Sequence, residues 1–258
     1  MRLLECGTSS VSPRHPLFRQ FLALSGSSDP HCQYNSILSH SLYTGMNTIS
    51  ESNTMGWQQS ISYNGTSVIA CSDYNYYTIA LRKSNPQGAC KDDGYAQTGW
   101  AADAASTTHY FAYSTSYWGN TCPSVYYFGS INATHTYKVR LYAGGYNSSC
   151  NNFNGEADYF MDGSFQYFDC LDWHIGDGLD SFTERWGSNS HIGAIGYFNG
   201  QYCSATGNGG CDPGTPIPTA SVYNNATYVD SRGRVSWQNS GHTNWNTCDI
   251  YDFTTSQC

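Results

Sequence analysis

A chain of 258 residues with a formal net charge of −8, 22 Tyr, 26 Gly and only 12% charged residues is neither disordered nor a helical bundle. Disorder needs few aromatics and high net charge, and bundles draw on Ala, Leu, Glu and Lys. The 11 Lys and Arg are scattered, so the clustered cations that neutralise phosphate are missing, which makes nucleic acid and anionic membrane poor partners. Tyr, Thr, Val and Trp fit a half-buried pleated surface, and Gly and Asn fit tight turns, so the expected fold is all-β.

In chain order, residues 1–45 lack strand periodicity and read as a poorly ordered lead-in, and 46–258 read as a single β-sandwich domain. The apolar run Leu17–Leu24 is broken by Arg19 and preceded by Pro13 and Pro16, too short and too charged for the core of a secretory leader. No stretch approaches the roughly 20 apolar residues that span a bilayer. From Trp57 onward, short runs of β-formers recur between Gly, Asn, Asp and Ser clusters. They predict strands over 57–63, 66–71, 75–82, 95–101, 108–114, 124–129, 134–142, 156–161, 164–169, 181–186, 192–198, 226–230 and 233–238.

The clearest of these is Thr134–Leu141, where His135, Tyr137, Val139 and Leu141 alternate with Thr134, Thr136, Lys138 and Arg140. A side-chain period of two puts the first set against a core and the second in solvent. Asp162-Gly163 lies between two alternating aromatic runs, and Gly tolerates the positive φ of a tight hairpin turn. The Gly-rich stretch 205–215 reads as a disulfide-pinned loop.

Eleven cysteines, at 6, 32, 71, 90, 122, 150, 170, 203, 211, 248 and 258, include no CxxC pair. Zinc and thioredoxin spacings are therefore absent, and disulfides formed in an oxidising, extracellular compartment are expected. Short loops favour Cys203–Cys211 and Cys248–Cys258, then Cys71–Cys90. An odd count leaves one thiol over, available for self-association.

Five segments in order, Gly94–Trp100, His109–Tyr113, His135–Val139, Tyr159–Gly163 and Phe182–Trp186, resemble the concanavalin-like, jelly-roll domains of secreted bacterial proteins. The resemblance covers roughly 95–200 and rests on short aromatic motifs. It implies a two-sheet sandwich whose concave face handles polysaccharide; with the alternation and the cysteines, the expected fold is an antiparallel, disulfide-braced, extracellular sandwich. It implies no particular reaction, because such a fold hosts lectins, hydrolases, lyases and inert modules alike.

Glu156 and Asp158 stand two apart on a predicted strand, so both carboxylates share a face, as a retaining glycosidase pair must. The run Glu156–Asp162 departs from the Glu-x-Asp-x-Glu of similar sandwich glucanases by lacking the last Glu, and a polar outer face is the plainer reading. Glu184 is the best single candidate carboxyl: if Phe182 and Trp186 face the core, Glu184 does too, and a buried Glu must be paired or protonated. His135 fits a hydrogen-bonded core slot. Lyases on this fold use a Tyr/His pair, to which His109 or His174 could belong.

Asp172, Asp177 and Asp180 on a Gly-flexed loop suit calcium, the one cofactor the sequence suggests, although Asx-rich turns are common without metal. Trp118 beside Tyr117, and Trp173 beside His174, are the aromatic candidates for stacking on a glycan. Without a complete catalytic motif, the first expectation is an extracellular carbohydrate-binding or cell-surface structural module. The alternative is a glycoside hydrolase or polysaccharide lyase.

Overall fold

The computed structural model of the chain describes residues 42–48, 53–63, 75–84, 93–102, 107–114, 124–144, 147–185, 195–204, 215–216, 233–237 and 244–249. Their strands are β1 (Leu42–Thr48), β2 (Thr54–Ile61), β3 (Asn75–Ser84), β4 (Asp93–Ala102), β5 (Thr108–Ser114), β6 (Ser124–Ser130), β7 (His135–Ala143), β8 (Gly155–Met161), β9 (Ser164–Leu171), β10 (Gly178–Arg185), β11 (Ile195–Ser204), β12 (Thr215–Pro216), β13 (Gly233–Trp237) and β14 (Trp245–Asp249). They form two antiparallel sheets. The six-stranded sheet runs β1-β10-β3-β4-β5-β6, and the eight-stranded one runs β13-β14-β11-β2-β7-β8-β9, with β12 beside β11. The expected two-sheet sandwich is the observed fold.

Alternation builds the core. Trp57 and Ile61 of β2, Tyr137, Val139 and Leu141 of β7, and Ala157 and Tyr159 of β8 face Tyr77, Ile79 and Leu81 of β3, Trp100 of β4 and Leu179 of β10, all essentially solvent-free. Buried aromatics need somewhere for their polar atoms, and here those atoms join the sheets. Trp57 Nε1 donates to the Asp180 carbonyl at 3.0 Å, and Ser181 Oγ donates to Gln59 Oε1 at 2.6 Å. Tyr197 hydroxyl donates to the Phe182 carbonyl at 2.8 Å, and Thr183 meets Thr247 at 2.7 Å. The interior is thus apolar layers crossed by a polar seam.

Several expectations change. β1 continues across position 45, because Leu42–Thr48 pairs residue for residue with Leu179–Arg185, so the boundary drawn there falls within a strand. β14 was not foreseen, and 66–71 and 226–230 lie outside the described residues. Asp162 and Gly163 take φ of 50° and 78° between β8 and β9, the two-residue turn expected. The disulfide seen is Cys150–Cys170, a pair not anticipated. Cys203 is also disulfide-bonded, while Cys71, Cys90, Cys211 and Cys258 lie outside the described residues, as does the side chain of Cys248. Among the described residues no helix is long and apolar enough to cross a membrane.

Candidate functional site

Each sheet has an outer face, and each outer face carries carboxyls. On the eight-stranded sheet, Ala157 and Tyr159 point inward, so Glu156 and Asp158 point outward. In register, Glu156 sits between Tyr142 of β7 and Cys170 of β9, and Asp158 between Arg140 and Phe168. The face is not open here. A short 3-10 turn, Ser148–Cys150, is fastened to β9 through Cys150–Cys170, and the Asn147 amide donates to Glu156 Oε2 at 2.7 Å. Glu156 is 1% exposed and Asp158 4%. Burial, together with the hydrogen bond and charge of Glu156, pushes the Asp158 carboxyl up to about 7, against the pull of Arg140.

On the six-stranded sheet, Leu179, Ser181 and Thr183 face inward, so Asp180 and Phe182 take the outer face, and Glu184 shares their parity. The premise that Phe182 marks the core side therefore fails: the inward set on β10 is the odd one. Glu184's own side chain lies outside the described residues. One cross-strand row on this face reads Asp180, Ala80, Gln97, Tyr113. Asp180 is 3% exposed and Ala80 solvent-free, while Gln97 and Tyr113 are half-buried. Ala80 separates Asp180 from Gln97 in this row. Two rows along, Tyr76 and Ala101 join Phe111 in a second small core, with Tyr76 and Tyr127 hydrogen-bonded through their hydroxyls. His109 meets Tyr127 edge-on at 6.3 Å.

The loop aspartates are not brought together. Asp177 accepts from the Ser84 amide at 2.9 Å and pairs with Lys83 at 3.5 Å. Asp180 belongs to the sheet face, and burial raises Asp172 above the ordinary carboxylate range. Among the described residues no three His, Cys, Asp or Glu side chains are placed to hold a metal ion. Trp173 is 5% exposed and packed in the core, its carbonyl so close to Gly155 that a Cβ there would lie 2.0 Å away. Its ring offers no stacking face. His174 beside it is half-buried, and Tyr117 and Trp118 lie outside the described residues. His135 is half-buried, its ring bonded to Asp162 across the hairpin.

Gln97 was missed by sequence reasoning. A glutamine in a strand carries no motif, and its neighbour Asp180 is 83 positions away in the chain; only the parity of Gln97 against Ala96 and Thr98 hinted at an outward face.

The fold has counterparts among solved structures. Scytalido-glutamic peptidase, solved with a transition-state analog inhibitor, aligns with a TM-score of 0.51 at 10% identity, over 82% of this chain and 99% of that one. SCP-B, a member of the eqolisin family of peptidases solved with the tripeptide Ala-Ile-His, aligns with a TM-score of 0.46 at 10% identity, over 82% and 99%. What is shared is a β-sandwich. No family model and no curated protein matches the chain.

Proposed function

We propose that the chain is a hydrolase of extended polymers working at the outer face of the six-stranded sheet, with peptide as the first substrate class to test. The observation that carries this reading is the row Asp180–Ala80–Gln97. Asp180 and Gln97 stand two strand spacings apart, roughly 10 Å between backbones, with Ala80 between them. A carboxyl can take a proton from an attacking water and return it to the leaving group. A carboxamide N–H₂ opposite it can hold the oxygen on which negative charge develops. Asp180, at 3% exposure, does this away from bulk water, where each such interaction counts for more. The peptidase fold-mate makes peptide the first choice, and the sugar-directed expectation keeps polysaccharide in the panel.

The test is cleavage of denatured protein and of a polysaccharide panel by the wild-type chain, Asp180→Asn and Gln97→Ala. The expected outcome is peptide cleavage by wild type that falls by about 10²–10⁴-fold in Asp180→Asn without a matching loss of folding. Full activity in Asp180→Asn, or no cleavage of either panel by wild type, overturns the reading.

Non-catalytic glycan binding keeps one specific observation. Phe165 at the hairpin tip is 54% exposed and meets Phe160 edge-on at 5.9 Å, a ring on which a sugar could stack. Phe165→Ala abolishing retention on a polysaccharide column would favour that reading.

A further inference from the structure

We propose that Glu156, Asp158 and the disulfide-fastened turn above them form a proton-dependent latch: a proton held between the two carboxyls keeps the Asn147–Cys150 turn seated on the eight-stranded sheet. This does not depend on the reading of Asp180. Both carboxyls are at least nine-tenths buried and stand two apart on the same face of β8. Two like charges in such a slot repel and lack water, so one must carry the proton or the slot must open.

The compensation available is small. Among the described residues, the charged or titratable groups that β7 places on this face are Arg140 and Tyr142, which pair with Asp158 and Glu156, and Lys138, held over the Phe160 ring. The Arg140 guanidinium is partly engaged over the Tyr142 ring, at 4.7 Å. β9 contributes Phe168 and the bonded Cys170, neither of which carries charge, and the turn contributes the Asn147 amide and the bonded Cys150. Asp158 Oδ1 is buried without a hydrogen-bond partner, so ionisation would strand a charge on it. The way to relieve that charge is to lift the turn. Glu156 would then lose the Asn147 amide, and water would reach both carboxyls.

The sign follows from linkage. A carboxyl raised to about 7 in the folded chain, from 3.8 ordinarily, binds its proton more tightly when folded. Folding is therefore unpenalised below the lower value and loses stability as pH rises through the interval, with the full loss above the upper one.

The experiment measures denaturant stability of the intact chain from about pH 3 to 9, and hydrogen exchange at the Asn147 amide over the same range. In wild type the folding equilibrium constant is expected to fall by on the order of a thousandfold across the window. Amide exchange should accelerate beyond the ordinary pH dependence of a protected amide. Asp158→Asn, which mimics the protonated carboxyl, should flatten both profiles. Glu156→Gln, which also leaves a single carboxyl, serves as the second variant if the first fails to fold. Wild-type slopes retained in a folded variant, or Asn147 exchange that ignores pH while stability falls, overturn the proposal.

Discussion

Asp158 and Asp162 lie four positions apart on one hairpin, and their surroundings push them in opposite directions. Burial dominates at Asp158 and favours the neutral acid. At Asp162 burial acts the same way, but the Thr136 amide at 2.8 Å and the His135 ring together outweigh it and hold the carboxyl below the ordinary range. A lowered carboxyl stabilises the fold above its ordinary value and stops doing so as pH falls through the folded one. Asp162→Asn keeps a residue tolerant of the positive φ yet removes the charge. It is expected to flatten stability between about pH 2 and 5, by less than about 1 kcal/mol because the group is half in solvent. Urea midpoints across that range check it. His135 was legible as hydrogen-bonded, but the expected core slot is a half-buried one at the strand's start, and its partner was not foreseen, because Asp162 reads locally as a turn residue and nothing more.

At the scale of elements, β7, the turn at Asp162-Gly163 and β8 were legible because alternation and turn chemistry are local signals. β1 was not: Gly45 and Met46 interrupt its pattern, and its strand state comes from pairing with β10. β14 is five residues long and owes its place to β13 and β11. Cys150–Cys170 escaped because neither cysteine sits in the shortest loops; the hairpin's own geometry brings the turn back over β9. It closes a loop of 20 residues in sequence separation, so Cys150→Ser with Cys170→Ser is expected to cost about 3 kcal/mol. The check is the guanidinium unfolding midpoint of the double variant against wild type.

At the scale of the whole molecule, polar atoms of aromatic and hydroxyl residues join the two sheets alongside the apolar core. Trp57 is the clearest case, solvent-free and donating across the interior to the Asp180 carbonyl. Trp57→Phe removes that donor and leaves a small void, an expected loss of about 1–3 kcal/mol by chemical denaturation. Because Asp180 is the acceptor's residue, the same change tests whether the seam positions the proposed catalytic carboxyl. Cleavage of the peptide or polysaccharide substrate should fall in Trp57→Phe even where the fold persists.

The sequence by itself determined the class of fold, most strand positions, the hairpin turn and the fact that Glu156 and Asp158 share one side of β8, since period, propensity and turn chemistry act over a few residues. Tertiary structure decided which residues come together: Asp180 and Gln97 in one cross-strand row, Cys150 with Cys170, Trp173 with the core, and the even positions of β10 with the outer face. An alternating strand names two faces without saying which one another sheet will cover. That choice rests on pairings between residues tens of positions apart, where local preference carries no information.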